Sequence, residues 1–94
     1  MQRSIKITSS IYEVLPLVKI TSTSAGLDKR LIGVEDLLEA NEYGIAFEVL
    51  CENLYEFSCP ISQSAYKKIE TIGMELEADD NLWLRLISLI IHLH

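Results

Sequence analysis

The stretch Asn41–Phe57, NEYGIAFEVLCENLYEF, decides how the rest of the chain is read. Advanced by about 100° per residue, Ala46, Phe47, Leu50, Leu54 and Phe57 fall on one side of a helix covering roughly residues 42–57. A helix with such a face must bury it against other elements, so this segment is one wall of a core. The opposite side carries Glu48, Glu52 and Glu56, each four residues from the next, and no lysine or arginine in the stretch answers them. Like charges at that spacing destabilise an isolated helix by about 0.2–0.5 kcal/mol per pair, where Glu followed by Lys would gain a similar amount.

Outward from this helix the boundaries are marked on both sides. Leu31, Val34 and Leu38 place a preceding helix over 27–40, with Gly33 a local weakness and Asn41 a cap between the two. Downstream, Cys59-Pro60 ends the central helix, since proline disfavours helix at the residue before it. Ser62 then caps a third helix, 62–76, with Ile61 and Tyr66 spaced as a hydrophobic staple. Asp79 and Asp80 open a last helix, 80–93, whose polar positions Asn81, Arg85, Ser88 and His92 form one narrow strip. Its other positions, including Leu82, Trp83, Leu86, Ile87, Ile90 and Leu93, are apolar, as expected for a helix at the centre of a bundle.

The first 26 residues allow two readings. One is a helix with a kink or a late start near Pro16, in which Ser10 and Glu13 match a capping box ahead of Ile11, Val14, Leu15 and Val18. The other is a short strand pair, because IKITSS (5–10) and VKITST (18–23) echo each other and are β-branched. The expected fold is all-α, a single compact bundle of four to five helices occupying residues 1–94 as one domain.

Net charge is −6, unevenly spread. Residues 1–30 hold five bases against Glu13 and Asp28, +3, while the remainder holds three bases against twelve acids, −9. Such a field repels phosphate backbones and favours a cationic protein partner over direct nucleic-acid binding. Cys51 and Cys59 fit no zinc or CxxC spacing and read as reduced thiols of a cytoplasmic protein, with Cys51 on a helix flank. MQRSIKITSS has no uninterrupted apolar run and does not read as a secretory signal. The apolar C-terminal run is interrupted by Arg85, Ser88 and His92 and is too short to span a bilayer.

Nothing in the chain assembles catalytic chemistry. No HExxH, GxGxxG, P-loop or GxSxG occurs, and the histidines, His92 and His94, would point about 200° apart on a helix, which disfavours shared metal ligation. No catalytic residue, cofactor or metal is expected, and the chain does not read as an enzyme. The glutamate row has two readings. It is a solvated face, or it is a docking surface in which Glu39, Glu42, Glu48, Glu52 and Glu56 face a cationic cleft and Tyr43 and Tyr55 supply contact area.

The segment NEYGIAFEVLCENLYEF, followed by PISQSAYKKIETIGMEL, resembles the MafI- and CdiI-type immunity proteins of bacterial contact-dependent growth inhibition systems. The resemblance lies in an acidic E-Y/W-G-x-A-x-E-x-L helix, a P-I/L-S turn and a helix ending near a glycine. Glu42, Tyr43, Gly44, Ala46, Glu48, Leu50, Pro60, Ile61, Ser62 and Gly73 occupy those positions, within about residues 35–76. It implies an antitoxin that binds the C-terminal toxin domain of a delivered effector, in many cases a ribonuclease of EndoU-like or related type, most simply as a 1:1 complex without membrane or nucleic acid. A second class of function stays open: a helical adaptor that binds a host protein through its hydrophobic C-terminal helix, which would leave Trp83 exposed.

Overall fold

Ile7, Ile11, Val14, Leu15 and Val18 recur at helical spacing, and all five are buried. That stripe makes the N-terminal segment one uninterrupted helix, α1, Gln2–Thr21, which runs through Pro16. Neither a start near Pro16 nor the Ser10 capping box is found, and IKITSS lies within the helix rather than in a strand. Pro16 costs α1 one hydrogen bond, the one Tyr12 would otherwise accept, but the site is exposed and water can replace it. Burial of the apolar stripe outweighs that loss.

The computed structural model describes the backbone of residues 2–92 and the side chains of residues 5–92. After α1 come α2 (Ala25–Glu39), α3 (Tyr43–Glu56), α4 (Gln63–Leu76) and the short α5 (Asn81–Leu84), followed by a 3-10 turn, Ile87–Leu89. Helix α2 begins before residue 27 because the Ser24 hydroxyl accepts from the Leu27 N–H at 3.3 Å. Ser62 caps α4 as expected, its hydroxyl accepting from the Ala65 N–H at 3.0 Å. Helix α2 packs chiefly on α3 and α1 chiefly on α4, enclosing one continuous core to which α5 also contributes. The Cα radius of gyration, 12.2 Å, is close to the ~12 Å expected for a globule of this length.

Three helices end the same way. The Glu42 N–H donates to Leu37 O and the Asn41 N–H to Leu38 O; Cys59 and Ser58 repeat this on Leu54 and Tyr55, and Ala78 and Glu77 on Gly73 and Met74. These are paired Schellman bonds, and they require a left-handed residue at Asn41 (φ 63), Ser58 (φ 49) and Glu77 (φ 54). Asparagine adopts that region at little cost; glutamate adopts it with strain. Glu77→Gly is therefore expected to raise unfolding free energy by about 1 kcal/mol, measurable by urea denaturation, with no change in far-UV circular dichroism.

The C-terminal segment departs from expectation. Instead of a helix over 80–93, helical geometry stops at Leu84, a 3-10 turn follows, and the chain then extends. The reason is tertiary. The Ile61 N–H donates to Leu89 O at 3.0 Å, and the Ile91 N–H donates to Ile61 O at 2.8 Å, a parallel bridge to the segment after Pro60. That pairing satisfies backbone groups of the α3–α4 connection, which helical geometry at 89–91 would leave without partners. Trp83 and Leu86 still enter the core, while Ile87 is half exposed. Leu93 and His94 lie outside the described residues. Among the described residues, no helix is long and apolar enough to cross a membrane.

Candidate functional site

Helix α3 is divided by its own periodicity. Ala46, Phe47, Leu50, Cys51 and Leu54 are buried, and Phe47 meets the Trp83 ring at 6.4 Å between centroids, tilted by 57°. Phe57, expected on the buried face, is only partly covered, because the helix ends at Glu56 and Phe57 caps it. The faces that remain carry Glu48, Glu52, Tyr55 and Glu56, all exposed. Glu39 at the end of α2 and Glu42 in the connection are exposed as well.

The lysines of α1 and α4 are engaged away from this face. Lys19 pairs with Glu35 at 2.8 Å, Lys68 with Glu13 at 3.3 Å, Lys6 with Glu75 at 3.5 Å and Lys67 with Glu70 at 3.7 Å. Exposed pairs of this kind contribute about 0–1 kcal/mol each, so their interest is in where they lie. Among the described residues, none of Glu39, Glu42, Glu48, Glu52 and Glu56 forms an ion pair. The five carboxylates therefore present a net negative surface along α3 and the α2–α3 connection, with Arg85, over Tyr55, the cation placed against it among the described residues.

Two parts of the expected site are modified by packing. Tyr43 is partly buried against the core, so it offers less free area than a surface anchor. Tyr55 is exposed, but the Arg85 guanidinium stacks over its ring at 4.4 Å. Helix α3 itself contains no basic residue; the fold brings one from the residue that caps α5, thirty residues away. No local pattern could have shown this, since Arg85 read only as a member of the polar strip of a longer helix.

Cys51 is not on a flank but at the centre of the core, fully buried. Burial pushes its thiol from the ordinary 9.0 up to about 12, Arg85 opposing the shift and Glu52 adding to it. Burial also raises Cys59, against a hydrogen bond from Thr21 that favours the thiolate. Both thiols are free. A thiol whose folded pKa exceeds its unfolded value stabilises the protein below the unfolded value, and that contribution is lost as pH rises between about 9 and 12. Iodoacetamide at pH 8 is expected to leave both cysteines unmodified in the native protein and to alkylate both in guanidinium, read by mass spectrometry.

At the end of the acidic face, where the first turn of α3 meets the end of α4, Gly44, Ile45, Leu76, Ala78 and Leu82 line an open groove of about 500 Å³. Glu48 and Asp79 are its charged lining residues. These positions are brought together by the turn after α4, and sequence reasoning did not connect them. Among the described residues no group of three or more His, Cys, Asp or Glu is placed to hold a metal ion; His92 lies outside any helix, and His94 outside the described residues.

Comparison with known proteins returns no match: no family model, no curated protein and no solved structure is significantly similar to this chain.

Proposed function

We propose that this chain is a non-catalytic inhibitor that acts in the cytoplasm as an antitoxin, binding a basic ribonuclease-type toxin domain through the α3 face. The observation that carries this reading is the row Glu39, Glu42, Glu48, Glu52 and Glu56, exposed and without ion pairs among the described residues, in a chain whose lysines on α1 and α4 all have carboxylate partners. An RNA-cutting cleft is lined with lysine and arginine, and a rigid helical row of carboxylates can take the place of phosphates there. The motif that resembles the immunity proteins of contact-dependent growth inhibition overlaps this row at Glu42 and Glu48. Tyr55, held under Arg85, adds a pre-ordered aromatic surface beside the charges.

The adaptor reading requires the C-terminal segment to be an exposed hydrophobic helix. Trp83 is 5% exposed, Leu86 is fully buried, and the helix ends after one turn. These features count against the adaptor reading.

The test is co-expression. The chain is expected to rescue growth of cells expressing the nuclease-like C-terminal domain of the protein encoded immediately upstream, and to co-purify with it. Failure to rescue, or an upstream gene without such a domain, would remove the proposal.

A further inference from the structure

We infer that the groove between α3 and the α4–α5 turn receives an apolar side chain of the protein partner, carried on a segment whose flanking residues are basic. This rests on the reading of the α3 face as a partner surface, and it specifies how that surface is anchored.

The groove is apolar in Gly44, Ile45, Leu76, Ala78 and Leu82, and its charged lining residues, Glu48 and Asp79, are both acids. Its volume, about 500 Å³, is within the ~300–1,000 Å³ of typical binding clefts. Glu48 belongs both to the groove and to the row that continues through Glu52 and Glu56, so one extended segment can use both. The N-terminus of α3 and the C-terminus of α4 meet here, and their opposite partial charges offset one another, leaving the carboxylates to set the sign.

Gly44 adds an independent observation. A Cβ placed there would meet nothing within 4 Å, and its φ is not positive, so neither packing nor backbone conformation requires glycine. A bare position in the first turn of a helix forgoes up to about 1 kcal/mol relative to alanine, and here its effect is to keep the groove open. Gly33 is equally unhindered but is not among the residues lining this groove. A second cleft, about 360 Å³ between α1 and α4, lacks this character: its Lys6 and Lys68 are already held by Glu75 and Glu13. A buried anchor in a well-packed pocket inside a polar rim is a common arrangement at the centre of an interface.

The test uses the full chain, ¹⁵N-labelled, and three capped ten-residue peptides. The first carries two adjacent leucines flanked on each side by two arginines; one control replaces the leucines by serines, the other the arginines by glutamates. The first is expected to bind about tenfold or more tighter than either control, with amide shifts centred on Gly44, Ile45, Ala78 and Leu82. Gly44→Trp, which fills the groove and leaves every carboxylate in place, is expected to erase the preference for leucine over serine. Equal binding of the leucine and serine peptides would overturn the groove as an anchor while leaving the acidic face intact. Equal binding of the glutamate peptide would overturn both. No binding, or shifts elsewhere, would overturn the groove. Success here with failure of the rescue experiment would leave a docking site for basic segments on a protein of another role.

Discussion

Gly73→Ala is expected to destabilise the protein by about 2–4 kcal/mol, lowering the melting temperature by roughly 8–32 °C at the 4–8 °C per kcal/mol typical of domains this size. A Cβ built on Gly73 would clash with the six-membered ring of Trp83, pressing on its Cε3, Cζ3 and Cη2 carbons. Trp83 is 5% exposed and packs on Phe47, so the ring has no free direction in which to retreat. Either α4 and α5 separate or the indole leaves the core. The gain in helix propensity, about 1 kcal/mol for glycine to alanine, is too small to offset that. A double-variant cycle checks the mechanism: in a Trp83→Leu background, Gly73→Ala is expected to be neutral or slightly stabilising, because the ring it strikes is gone. An unchanged melting temperature for Gly73→Ala alone would show that the ring does not rest on this glycine.

The second large effect is on binding. Glu48→Lys with Glu52→Lys moves net charge from −6 by two units per substitution, to −2, and inverts the sign of the middle of the α3 face. Both side chains are exposed and form no ion pair among the described residues, so far-UV circular dichroism and melting temperature should change little. Association with a basic toxin domain should slow by about 10- to 1,000-fold, the range over which electrostatic steering acts, and protection of toxin-expressing cells should be lost. The control is Glu13→Lys with Asp28→Lys, an equal change of net charge at exposed positions off the α3 face, expected to keep protection. Stopped-flow association at two ionic strengths adds a check, because the wild-type rate should fall with salt and that of the reversed variant should not. Equal protection by the Glu48/Glu52 variant would exclude this face as the binding site.

The two effects differ in how far the sequence foretold them. The carboxylate row needed only the period of α3: once Phe47, Leu50 and Leu54 are assigned inward, Glu48, Glu52 and Glu56 have nowhere to go but outward. Gly73 was visible as a motif position without a reason, and the reason, the face of Trp83, is ten residues further on and around a turn. Arg85 over Tyr55 belongs to the same class, as does the groove, whose walls come from α3, the end of α4 and the residues after it.

Periodicity alone therefore determined that the chain is helical, where α2, α3 and α4 run, that Ser62 starts α4, and which side of α3 is acidic. These are properties of one helix at a time, set by 3.6-residue spacing and by capping chemistry within four residues. Tertiary packing decided the two ends. A buried stripe of five aliphatic residues carries α1 through Pro16 in spite of the lost hydrogen bond, and the backbone of Ile61, left open by Pro60, draws residues 89–91 out of the helix their apolar pattern favours. In both places a local preference of one or a few kcal/mol met a larger demand, burial of apolar surface or satisfaction of buried backbone groups, that depends on residues far away along the chain.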